Sequence, residues 1–236
     1  MKHLLMLHGW GFHSAVFETL REQLSGDFVV EMLDRPGYGG KVDQSADSLS
    51  DNNAPSRLTS PTLVLGWSLG GLAALQLALE QPDLVTGVVL LAATPCFVNR
   101  GDWQQGMDKA TFEGFRKQVM ENPVTAMQQF VRLNAAIKPD RQTRAKLNVL
   151  SDQVSSDALI AGLGELENTD LRDVIKKITV PVLLLHAVDD RVVPVASSHW
   201  LHQHLANSKL FEYQAGGHAF FLQHAAEVVS QIRGFQ

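Results

Sequence analysis

Three residue types that act together in acyl transfer occur in this chain in settings suited to chemistry. Ser68 stands in Gly66-Trp67-Ser68-Leu69-Gly70-Gly71, after the apolar run Thr62-Leu63-Val64-Leu65 and before a helical pattern from Leu72 to Glu80. A strand that turns sharply into a helix through Gly-x-Ser-x-Gly holds one hydroxyl exposed at the turn. The flanking glycines are needed because the backbone there is strained and closely packed. A serine hydroxyl is a poor nucleophile at neutral pH and needs a base within hydrogen-bond reach. His218, in Ala215-Gly216-Gly217-His218-Ala219-Phe220, is the candidate base, because a Gly-Gly pair places it in a loop ahead of an apolar run. An acid to orient its imidazole is expected in Ala187-Val188-Asp189-Asp190-Arg191-Val192-Val193-Pro194, where Asp189 and Asp190 both qualify and Asp190 is preferred.

Cleavage of an ester also needs donors aimed at the developing oxyanion, each worth about 3–4 kcal/mol. The backbone N–H of Leu69, directly after the serine, is one candidate. The N–H of Trp10 is the other, in the loop His8-Gly9-Trp10-Gly11 that follows the first apolar run. Other polar residues read more plainly. His199, His202 and His204 have the composition of a zinc cluster, but their spacing does not bring all three to one helical face. His224 reads as a surface residue of the last helix, and Cys96, with no base motif beside it, as a buried apolar residue. No metal and no cofactor is expected.

The elements that must position these groups alternate along the chain. Leu4 to Leu7, Phe28 to Leu33, Thr62 to Gly66, Val85 to Ala93, Val180 to His186 and Lys209 to Tyr213 read as strands. They are apolar at nearly every residue, as a parallel sheet covered on both faces requires. An amphipathic helix capped by Ser14 and closed at Gly26 is predicted between the first two, with Val16, Phe17, Leu20 and Leu24 inward. A second helix follows Ser68, and a last one runs from about Phe220 to Ile232. The pattern predicts an α/β fold with a doubly wound, mostly parallel sheet.

One long interruption separates two of the strands. From Cys96 to about Lys177 only helical stretches occur, around Phe112–Met120, Ala126–Ala136, Thr143–Leu150 and Ala158–Leu166. We read residues 96–177 as a helical cap over the C-terminal ends of the strands, with residues 1–95 and 178–236 as the core. The polar segment from Asp43 to Ser60 reads as a surface connection.

Composition narrows the class. The chain has 236 residues, 45% of them apolar and 19% charged, which suits a single folded domain with a large core. A formal charge of −5 argues against nucleic acid as a general partner. The lone Cys96 allows no internal disulfide, and the apolar stretch after Met1 is too short for a signal peptide or a membrane span. A cytoplasmic monomer with no membrane association is expected.

Taken together, these stretches resemble the α/β-hydrolase superfamily over essentially the whole chain. The more particular ones resemble the pimeloyl-[acyl-carrier protein] methyl ester esterase family of biotin biosynthesis. The likeness rests on His8-Gly9-Trp10-Gly11, Asp34-Arg35-Pro36-Gly37-Tyr38-Gly39 and the Ser68 hexapeptide. It continues through Ala93-Thr94-Pro95-Cys96-Phe97 with Trp103, Gly162-Leu163, Asp170-Leu171-Arg172 and the Asp190 and His218 segments. The Trp before the serine, the Pro-Cys-Phe stretch and the Asp-Leu-Arg ending are the features most particular to the esterases.

The resemblance implies a serine carboxylesterase that removes a methyl ester from a pimeloyl chain on acyl carrier protein. It implies Ser68 as the acyl-enzyme residue, His218 as base and then acid, Asp190 as its orienting partner, and Trp10 and Leu69 as oxyanion hole and substrate-lining residues. Relatives that cleave carbon–halogen bonds or epoxides carry an aspartate where Ser68 stands. A short-chain carboxylesterase, a lactonase, a carbon–carbon hydrolase or a non-catalytic ligand receptor on the same scaffold remain rival readings. Two departures stand out: the strands that precede His8-Gly9 in most superfamily members are absent or very short, and Gln129 falls where an arginine is expected.

Charge points to the partner. From Lys109 to Lys146 eight basic residues face three acidic ones, a surplus of five, whereas the remainder holds twelve basic and twenty-two acidic. Such a basic segment suits an acidic carrier protein, with Arg132, Arg141 and Arg144 as candidate contacts.

Overall fold

A computed structural model describes residues 1–39, 58–135 and 141–235, with the side chains of Arg141, Gln142 and Arg144 excepted. Six strands form one sheet: β1 (Lys2–Leu7), β2 (Phe28–Leu33), β3 (Thr62–Trp67), β4 (Val85–Leu91), β5 (Val182–Ala187) and β6 (Ser208–Tyr213). Their order is β2-β1-β3-β4-β5-β6, and every pairing is parallel. Central β3 and β5 are buried along their whole length, while the edge strands β2 and β6 are partly exposed. That gradient is what a sheet covered on both faces produces, since only its edges reach water. Parallel pairing also brings every strand's C-terminal end to one side, so the loops after β1, β3, β5 and β6 gather there.

The helices follow with local corrections. The first comprises a 3-10 turn (Ser14–Phe17) and α1 (Glu18–Leu24), and Val16, Phe17, Leu20 and Leu24 are buried as the periodicity requires. Ser14 does not cap it. The preceding His13 holds that position without a side-chain bond, and the N–H of Ser14 instead donates to Asp34 Oδ1 at 2.6 Å. The last helix, α8 (Ala225–Phe235), starts after a separate 3-10 turn (Phe220–Leu222), and it packs on α1. A helix that the sequence reading passed over, α7 (Ala196–His204), lies against β5 and β6. Its Ser- and His-rich composition hides the buried face formed by Ser197, Ser198 and Leu201. Of the expected polar connection, all but residues 58–60 lies outside the described residues.

Among the described residues, four α-helices stand between β4 and β5: α3 (Lys109–Glu121), α4 (Pro123–Asn134), α5 (Arg141–Leu150) and α6 (Ser156–Asn168). Asp108, Asn122 and Ser155 cap α3, α4 and α6 by accepting from the N–H three residues on. The two ends of this insertion are clasped to each other. The N–H of Leu171 donates to the carbonyl of Pro95, the Trp103 indole donates to the carbonyl of Cys96, and the Arg172 guanidinium pairs with Asp170 and Asp102 while lying over the Trp103 ring. The Pro-Cys-Phe and Asp-Leu-Arg stretches are therefore the two halves of one contact.

The helix after Ser68, α2 (Leu69–Glu80), is buried at nine of its twelve residues and lies against β1, β3 and β4. It comes so close to β1 that a methyl group at Gly70 would overlap the carbonyl of Leu7. Gly70→Ala is therefore expected to lower stability by about 1–3 kcal/mol through overpacking. Gly114→Ala, in α3 with nothing near its Cβ position, should raise stability by about 0.5–1 kcal/mol. Denaturant unfolding of the two variants checks both signs.

Candidate active site

The turn from β3 into α2 forces Ser68 into a backbone conformation that side chains rarely adopt, with φ 55° and ψ −117°. Such strain persists only where the surroundings fix it. The N–H of Ser68 donates to the carbonyl of Leu91 at 3.0 Å, and its own carbonyl accepts from Gly71 at 2.8 Å. The side chain takes no part in capping α2, so the hydroxyl is left for other work. The first N–H groups of a helix have no partners within it, and those of α2 begin with Leu69 beside this serine.

His218 reaches the same place from the loop after β6. Gly216 and Gly217 before it both have positive φ, 136° and 66°, a pair of turns that glycine adopts without penalty. Three contacts anchor the loop. The Trp67 indole N–H donates to the carbonyl of His218 at 2.9 Å, the His224 ring N–H donates to the carbonyl of Ala215 at 3.0 Å, and the N–H of Ala219 donates to the carbonyl of Asn134 at 2.9 Å. The Trp67 and His218 rings lie 5.5 Å apart, which sets the imidazole against the residue adjoining Ser68. His218 is fully buried, and its Nε2 finds no hydrogen-bond partner among the described residues.

The other ring nitrogen is strongly held. Nδ1 lies 2.7 Å from Asp190 Oδ2, both side chains being shut off from water. Asp190 is the acid that meets His218, and Asp189 is a different group: its Oδ1 accepts from the N–H of Gly217 at 2.8 Å. Asp190 Oδ1 accepts from the N–H groups of Val192 and Val193 at 2.8 and 3.0 Å. Burial alone would push the Asp190 carboxyl up, but the charge of His218 and the hydrogen bonds from His186 and His218 outweigh it. Together they hold the group well below the ordinary carboxylate range. An ionised Asp190 accepts the proton at Nδ1, so Nε2 is the ring nitrogen left to exchange a proton.

The loop after β1 closes the site. His8 donates from Nδ1 to the carbonyl of Gly9 and accepts at Nε2 from the N–H of Arg35, at 2.9 and 3.1 Å. Burial drives its pKa down to about 4, so it stays neutral and keeps that arrangement. Gly9 is so near Ser68 that an added methyl would stand 3.2 Å from the serine Cβ. Trp10 is buried, with its indole N–H on the carbonyl of Leu159 at 2.8 Å and its ring edge-on to Phe115 and Phe130. Leu69 is buried too.

The inserted helices hold these loops from the other side. Arg35 pairs with Glu165 of α6, and Arg191 donates to the carbonyls of Arg132 and Ala135 at the end of α4. A cavity of about 890 Å³ opens among α4, α5 and α6, lined by Met127, Val131, Leu159, Arg132, Arg191 and Asp152 among others. None of Ser68, Asp190 or His218 lines it. It adjoins the site through Leu159, which holds the Trp10 indole, and Met127, whose tip lies at Gly11.

Arg132 is exposed at the cavity rim, while the side chains of Arg141 and Arg144 lie outside the described residues. The three neighbouring histidines go separate ways: His199 to Glu212, His202 to Ser208, and His204 stacked on Trp200. Among the described residues no cluster of His, Cys, Asp or Glu suits a metal ion, and no helix is long and apolar enough to cross a membrane. Sequence reasoning missed His186, Trp67 and Arg191 as parts of the site. His186 had a visible signal, one polar residue closing the aliphatic run Leu183-Leu184-Leu185.

Comparison with known proteins identifies the family and the fold. A model of the alpha/beta hydrolase family matches residues 4–231. A pimeloyl-[acyl-carrier protein] methyl ester esterase from Nitrosomonas europaea is 36% identical over 234 residues, covering 96% of this chain and 92% of the relative. One from Vibrio parahaemolyticus is 32% identical over 238 residues, covering 98% and 93%. Among solved structures, an esterase from Exiguobacterium antarcticum superposes with a TM-score of 0.87 at 23% identity, over 100% of this chain and 91% of that one.

The buried Asp190 makes a testable contribution to stability. The unfolded chain takes up a proton through the ordinary carboxylate range near pH 4, while the folded chain resists it. The contribution is thus complete above that range and is lost as pH falls toward the depressed folded value. Between pH 5 and 3 the wild type should lose stability by up to about 1.4 kcal/mol per pH unit from this one group. Asp190→Asn should show a shallower fall in urea unfolding over the same interval.

Proposed function

The chain belongs to the α/β hydrolase family and is a carboxylic ester hydrolase, and from that premise we propose that it is a serine esterase acting on the methyl ester of a pimeloyl chain carried by acyl carrier protein. One observation supports the mechanism: a buried imidazole, tied at Nδ1 to an ionised Asp190 and with Nε2 unpartnered, packs on Trp67, the residue before the strained turn at Ser68. In this reading His218 Nε2 takes the Ser68 proton as Oγ bonds to the ester carbonyl carbon. The carbonyl oxygen becomes an oxyanion, held by the N–H groups of Leu69 and Trp10. The intermediate collapses with cleavage of the bond to the methoxy oxygen, and His218 gives that oxygen its proton, so methanol leaves. Water then repeats the sequence on the acyl-serine, releasing a free carboxyl group and restoring Ser68. Asp190 stays ionised throughout and stabilises the imidazolium.

Residues 96–177 act as the cap in this scheme, with the cavity among α4, α5 and α6 as the approach for a chain arriving on a carrier. Support for the substrate comes from the names of relatives 31–36% identical over nearly the whole chain, and from the basic surplus between Lys109 and Lys146. An acidic carrier protein would be drawn to that surface and discharge its arm toward the cavity.

Two experiments test the proposal. Ser68→Ala should lower kcat on pimeloyl methyl ester bound to carrier protein by at least about 10³-fold while leaving the fold intact. Unchanged turnover would remove Ser68 from the chemistry. The triple reversal Arg132→Glu, Arg141→Glu, Arg144→Glu should raise KM for the carrier-bound ester and spare a small nitrophenyl ester. Equal effects on both would reject docking at those residues.

A further inference from the structure

Asp190 serves two histidines. His186, the fifth residue of β5, is fully buried and places its Nε2 3.1 Å from the same Oδ2 atom that receives His218. Nε2 also lies 2.9 Å from the carbonyl of Val193. Both neighbours are acceptors, so Nε2 carries the proton and shares it between them. Nδ1 lies 2.7 Å from Ser198 Oγ on α7, and a hydroxyl donating there completes a neutral ring. The titratable groups that meet this cluster are Asp190 from the loop after β5 and His218 from the loop after β6, with Ser198 the polar group from α7. Arg191 is turned to the end of α4 and Asp189 to Gly217, so neither faces the ring. A buried imidazole closing an aliphatic strand has a desolvation cost that a leucine would avoid. Both its ring nitrogens are matched, and one of them meets the Asp190 oxygen that also receives His218, which points to a use beyond packing.

We infer that His186 is a positioning residue for ester hydrolysis, fixing the Asp190 carboxylate through Oδ2 and sharing its charge with His218. The inference rests on the proposed roles of Ser68, Asp190 and His218. With two N–H donors on each oxygen, the carboxylate plane cannot rotate, and the lone pair offered to His218 Nδ1 is fixed in direction. The second imidazole also draws charge away from Oδ2. Without it, that oxygen binds the imidazolium of His218 more strongly, and the base surrenders its proton to the leaving methoxide less readily.

The test uses the full-length chain with a nitrophenyl ester, following kcat and the pH dependence of kcat/KM. His186→Phe, which keeps the ring's bulk and removes the donor, should lower kcat by about tenfold or more, the worth of one hydrogen bond to a charged group. It should also move the acidic limb of kcat/KM to higher pH. His186→Gln, with an amide N–H in place of Nε2–H, should restore most of both. Ser198→Ala, which frees Nδ1 and loosens the tautomer, should move the limb in the same direction by less, and it carries the test if His186→Phe does not fold. An acidic limb that stays in place in every folded variant overturns the inference, whether kcat falls or not. Ser68→Ala, run alongside, separates the two levels. Loss of turnover there with unmoved limbs defeats His186 alone, whereas turnover that survives Ser68→Ala defeats the underlying reading.

Discussion

A single buried carboxylate organises the functional end of this molecule. Asp190 has no contact with water, and an isolated charge in such a place would be neutralised or expelled. It persists because four N–H groups converge on it: two imidazoles at Oδ2 and the backbone of Val192 and Val193 at Oδ1. Each of those donors comes from an element that the sheet must hold in register. β5 supplies His186, the turn after it supplies the two valines, and the loop after β6 supplies His218. Removing one partner would leave charge or polarity buried without compensation, so the arrangement is cooperative rather than a sum of contacts.

Parallel topology explains why the remaining parts converge there. With every strand running the same way, the loops after β1, β3, β5 and β6 emerge at one edge, although Ser68 and His218 are 150 positions apart in the chain. Close packing then sets the fine geometry. Gly70 lets α2 begin directly against the end of β1, and Gly9 brings the first loop up to Ser68. The same Trp67 that precedes Ser68 holds the carbonyl of His218, linking the two segments through one indole. The inserted helices add contacts from outside, because the end of α4 accepts from Arg191 next to Asp190 and from Ala219 next to His218.

The central strands were legible because each is a short apolar run, and a strand buried on both faces leaves that mark without help from its neighbours. Ser68 and its two flanking glycines were legible for a similar reason: the turn's strain is local, and glycine is its local answer. What stayed hidden depends on contacts across space. Ser14 has the composition of a cap, yet Asp34 from the end of β2 takes its N–H and leaves the side chain without that role. The buried face of α7 consists of two serines and a leucine, which no hydrophobic period reveals. Asp189 and Asp190 are indistinguishable in a list of residues, and only the fold sends one to Gly217 and the other to His218. His186 reads as the end of a strand that in the structure runs one residue further, and its partner lies four residues on, across a turn whose shape the sequence does not state.

In the proposed mechanism an imidazole with one tethered and one free nitrogen activates the hydroxyl of Ser68, and a covalent trap for a reactive serine reports whether it does. Incubation with an aryl sulfonyl fluoride, followed by peptide mass spectrometry, should place a single adduct on Ser68, and His218→Ala should slow its formation by orders of magnitude. An adduct on any other residue, or undiminished labelling of Ser68 without His218, would contradict it.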